Sequence, residues 1–192
     1  MHVSRSLGVN LAASGARDHA AILAGRIAIT HRHLLDAAEK CTDDDLAWRP
    51  GPTSPPIAFH LWHAGRWADR WTEALTAKPQ RWHREGLTTK WGFPAEQGKG
   101  DTGMELPDDQ AAQLPFPRRD QLTTYLRGAF SDLEQAVGAL DDETILRDAD
   151  DLLGATAPLD DSLIRHLSHV SRHLGMIEAL RGLRGGHGTA TV

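Results

Sequence analysis

Three histidines stand at 166, 169 and 173 within LIRHLSHVSRHLGMIEALRGL, residues 163–183. His169 and His173 are four apart, so on a helix their rings lie one turn apart and can converge on one ion. A third imidazole from a facing helix would complete a half-shell of nitrogens at about 2 Å from a divalent metal. Three protein ligands leave a position open for water or substrate, as catalytic sites do and closed structural sites do not. Three neutral ligands also leave the ion's double charge uncompensated, which lowers the pKa of a bound water or thiol. An HxxxH alone is a weak motif, because histidine pairs arise by chance on helix surfaces. No Glu or Asp lies between His169 and His173, so a metal-dependent hydrolase, the enzyme alternative, lacks the general base of HExxH.

The helix that must carry these rings is strongly patterned. Leu163, Leu167, Val170, Leu174 and Ile177 form an apolar stripe, and the histidines run along its edge. Asp160 or Asp161 can cap its start after Pro158, and Gly185-Gly186 stops it. A second histidine-bearing helix is expected over Ile57–Thr76, opening after the proline-rich loop 50–56. Its wheel puts Ile57, Leu61, Ala64, Ala68, Trp71 and Leu75 inward. Arg66, Asp69, Arg70 and Glu73 fall on the opposite side. His60 lies within the apolar face and His63 on its margin, so either can supply the third imidazole. His60 also has an ordinary reading as a core histidine bonded to a backbone carbonyl.

Two more long helices are expected, over 17–40 with Ile22, Ile29 and Leu34 on the apolar side, and over 118–140. A new helix start at 42–45 and a short helix near 141–147 punctuate them. No convincing strand is found. Four long amphipathic helices imply an all-α, four-helix bundle. Its long loop, 78–117, lies between the second and third long helices and has the length of a functional lid. Trp82, Trp91, Phe93 and Met104 indicate that parts of this loop pack. Its GKGDTG stretch lacks phosphate-loop spacing and is given no phosphate role. Residues 1–15 read as a flexible arm without a signal-peptide core, 16–184 as one domain, and 185–192 as a tail.

The remaining histidines have ordinary readings. His166 is a core-edge or supporting residue. His31 and His33 are two apart and face different ways. His2, His19, His83 and His187 are solvated or in loops. Trp62, Trp67 and Trp71 serve as core, and Cys41 as a small buried hydrophobe. The formal net charge of −5 gives no footprint for nucleic acid, and no apolar run suits a membrane span. A lone cysteine excludes an internal disulfide and suits a cytoplasmic protein.

LAWRPGPTSPPIAFHLWHAGRWADRW, followed much later by HVSRHLGMIEALRG, resembles the DinB-like metal-dependent superfamily over most of the chain. Members are four-helix bundles, often dimeric, with a divalent metal on one histidine of the second helix and two of the fourth. The resemblance therefore implies His63, His169 and His173 as metal ligands, with His60 as the fallback for His63, and a homodimer. Asp69 is offset from the family's acidic position and is given no role. Some members are transferases or isomerases that use mycothiol, bacillithiol or glutathione. The implied activity is thiol transfer to a small electrophile on Zn²⁺ or Ni²⁺, with no residue assigned to catalysis. A non-catalytic metal- or small-molecule-binding bundle is the alternative from a different class.

Overall fold

The computed structural model describes residues 18–186. Its elements run α1 (His19–Glu39), α2 (Asp43–Ala47), α3 (Ile57–Thr76), α4 (Arg81–Arg84), α5 (Leu87–Lys90), α6 (Asp108–Ala111), α7 (Arg119–Gly138), α8 (Asp142–Ile145), β1 (Asp148–Asp150), β2 (Thr156–Pro158) and α9 (Leu159–Leu183). The four long helices, α1, α3, α7 and α9, make the expected bundle. α7 and α9 each pack against both α1 and α3, so α3 and α9 are neighbours and their histidines can meet. The expected arm, and most of the expected tail, lie outside the described residues. So do His2 and His187.

Local chemistry explains the element ends. Asp18 caps α1 by accepting the Ala21 N–H, and Thr42 and Asp45 form a reciprocal capping box on α2. The core runs through Leu23, Ile27 and Leu34 of α1, Leu61 and Trp62 of α3, Leu126, Phe130 and Leu133 of α7, and Leu163 and Ile177 of α9. Each such large side chain contributes about 1.5–3 kcal/mol by leaving water.

The structure differs from the sequence expectation at four places. On α1, Ile22 and Ile29 face solvent, while Leu23, Ile27, His31 and Leu34 form the buried face. A short antiparallel hairpin, β1 with β2, fills the link before α9. Its strands have three residues each, too few for a two-residue period to declare itself. At the head of α9, Pro158 is the cap residue. Asp160 and Asp161 lie in the first turn, where they complement the helix dipole without capping it.

The largest difference concerns α3. Arg66 and Asp69 were expected on a solvated face, yet both are buried. The loop 78–117 folds over that face and supplies their partners. The Asp69 carboxylate accepts the backbone N–H groups of Arg81 and Trp82, at 2.7 Å each, and pairs with Arg66 at 3.2 Å. Arg66 also donates to the Asp101 carbonyl and to Gln80 Oε1, and its guanidinium lies over the Trp82 ring. Asp69 thus has a definite structural role: it pins the loop to the helix. Removing one partner from so buried a pair typically costs about 3–5 kcal/mol.

Candidate metal centre

The inward face of α3 and the edge of α9 bring His63, His169 and His173 together. Their Nε2 atoms converge: His63 lies 3.2 Å from His169, and His169 lies 3.0 Å from His173. One ligand nitrogen from each of the three falls within 4.8 Å of the others. Tetrahedral bonds of about 2.0 Å place ligand nitrogens about 3.3 Å apart, so the set fits a divalent ion with little movement.

A metal-binding imidazole needs its other nitrogen held by an outer partner, which fixes tautomer and ring angle. His63 has one, since its Nδ1–H donates to the Thr102 carbonyl. That hydrogen bond leaves the Nε2 lone pair facing the other two rings. Thr102 sits in the glycine-rich turn of the loop, where Gly98, Gly100 and Gly103 all have positive φ. At Gly103 a Cβ would lie 2.7 Å from the Phe59 ring and 2.8 Å from the Trp62 ring. Glycine is required there for both conformation and space. The GKGDTG stretch therefore orients a histidine.

His173 also has an outer partner, in His60. Their Nδ1 atoms are 3.0 Å apart, so one donates and the other accepts. For His173 Nε2 to offer its lone pair to an ion, His173 must donate from Nδ1 and His60 accept. His60 is buried, as the helical wheel indicates, but its partner is a ring nitrogen and no backbone carbonyl. Trp67, one turn beyond His63, donates its indole N–H to the same His63 Nε2 lone pair at 3.1 Å, a hydrogen bond that a bound ion would displace.

Burial sets the protonation of the cluster. Loss of hydration holds His60 and His169 at about 4, His63 at about 3 and His173 at about 2. The neighbouring imidazoles add to this at His63 and His173. All four rings are thus neutral at pH 7, the state that ligation requires.

Other histidines lie outside this cluster. His166 is buried beside Trp71 and His31, and neither of its ring nitrogens has a hydrogen-bond partner among the described residues. His31 stacks on Phe130 and bonds Glu134 at 2.7 Å, while His33 is exposed. Cys41 is buried, with its thiol toward the Ala37 carbonyl. The sequence reading missed the roles of His60 and Thr102. His60 carried a signal in its three-residue spacing from His63, but a carbonyl from a loop has none.

The comparisons with known proteins bear on the fold and the family. A conserved protein from Enterococcus faecalis has the same fold, with a TM-score of 0.71 at 17% identity, covering 84% of this chain and 94% of that one. A DinB-like protein from Bacillus cereus gives a TM-score of 0.57 at 14% identity, covering 85% and 91%. No curated protein matches. The family model of the DinB superfamily, which includes metal-binding members, matches residues 26–177. With most of its length matched, the chain belongs to the DinB superfamily.

Proposed function

We propose that this protein is a metal-dependent transferase that joins a low-molecular-weight thiol to a small electrophile. The carrying observation is the convergence of three neutral Nε2 atoms, two of them on rings fixed by outer partners. His63, His169 and His173 would hold the ion, Zn²⁺ or Ni²⁺ by the family resemblance, both of which an all-imidazole set suits. Such an ion supplies Lewis acidity that favours the thiolate over the thiol at neutral pH. The chain's own residues do the rest. Thr102 and His60 keep His63 and His173 in the ligating tautomer. Trp67 and Met104 wall the approach to His169 and limit water there. A cavity that reaches His169 favours this reading over a closed, purely structural metal.

The test is turnover of metal-loaded protein with mycothiol, bacillithiol or glutathione and a panel of small electrophiles. Conjugation that disappears on chelation and returns with added metal is expected. Equal rates with and without metal would refute the proposal.

A further inference from the structure

The cavity beside the histidine cluster has a volume of about 460 Å³, within the range of small-molecule sites. Four parts of the chain build it: α3, the loop residue Met104, the α9 face that carries His166 and His169, and the hairpin turn at 151–153. Its apolar wall is Trp67, Trp71, Met104, Leu152 and Leu153. Leu153 is half exposed, an apolar side chain held at the rim.

The polar residues of the cavity are unevenly charged. Arg165 and Arg172 line it, against one carboxylate, Asp151. The charge of Asp151 is already engaged, because its Oδ1 accepts the backbone N–H groups of Leu153 and Ala155 across the hairpin turn. Arg165 lies 3.6 Å from both Asp151 and Asp161 and is partly balanced. Arg172 has no ion-pair partner among the described residues. His166 adds to the same wall a buried imidazole with two unpartnered nitrogens.

We infer that this cavity binds a small amphipathic organic anion, its apolar body against Trp67, Trp71 and Leu153 and its carboxylate at Arg172, with Arg165 in support. The placement sets the bound molecule against His169. This names the substrate class of the proposed transferase and rests on that reading for the purpose of the cavity. Both arginines are exposed on α9, so replacing them leaves the core untouched.

The test is calorimetric titration with 3-phenylpropanoate and with its neutral amide. The wild type should bind the acid more tightly than the amide. Arg172→Gln should weaken acid binding by about tenfold, and adding Arg165→Gln should weaken it further, with amide binding unchanged. Arg181→Gln removes a charge from the same helix away from the cavity and should bind the acid like the wild type. No acid binding by the wild type, equal affinity for acid and amide, or equal losses in Arg181→Gln and Arg172→Gln would each overturn the assignment. The titration reads binding and not turnover. Arginine-dependent binding without conjugation would therefore refute the reaction and keep the site. Conjugation without arginine-dependent binding would do the reverse.

Discussion

An imidazole that gives one nitrogen to a metal is only as well placed as the group holding the other. His60 does that for His173, across 3.0 Å between the two Nδ1 atoms. In the proposed site, His60→Ala should weaken metal binding by about 10–100-fold, the usual cost of removing an outer partner. His60→Asn, which keeps an acceptor, should recover part of the loss. Competition with a chelator of known affinity measures both. An unchanged affinity in His60→Ala would show that His173 is oriented by packing alone. At this scale the sequence was informative about which rings could meet and silent about what holds them. His169 and His173 declare themselves by their four-residue spacing, and His63 by its resemblance to a known second-helix ligand. Thr102 contributes a backbone oxygen, which any residue type would carry.

Among the elements, the loop between α3 and α7 matters most. Its length and its aromatic residues were legible and marked it as a packed cover. Its effect on α3 was not, because a helical wheel assigns Arg66 and Asp69 to solvent when it has no knowledge of what folds over them. The loop turns that face into an interface and carries the Thr102 carbonyl to His63. Gly103 is the position where this docking can be tested. Gly103→Ala forces a Cβ against Phe59 and Trp62 at a φ of +83°. The variant should lose about 1–3 kcal/mol of stability and bind metal more weakly than the wild type. Urea unfolding with chelator competition checks both. Full stability with full metal affinity would mean that the loop does not need this close approach.

For the whole molecule, burying neutral imidazoles couples the fold to pH. His60, His63, His169 and His173 sit between about 2 and 4 in the folded protein, below the ordinary 6.5. Between those limits the unfolded chain binds more protons than the folded one, so stability rises with pH. Metal-free protein should therefore hold its stability down to about pH 6.5 and lose it progressively toward pH 4. Urea midpoints at pH 7 and pH 5 test this, and equal midpoints would contradict it. The bundle itself was the most legible feature, since four long apolar stripes leave few other architectures. The three-residue strands were the least legible, and the buried face of α1 was misread because Ile22 and Ile29 fit a helical stripe as well as Leu23 and Ile27 do.

Elemental analysis of untagged protein tests the central claim most directly. The wild type should carry one divalent transition-metal ion per chain, and the folded His169→Ala/His173→Ala double variant should carry none. Equal metal content in the two proteins would contradict the assignment of these rings as ligands.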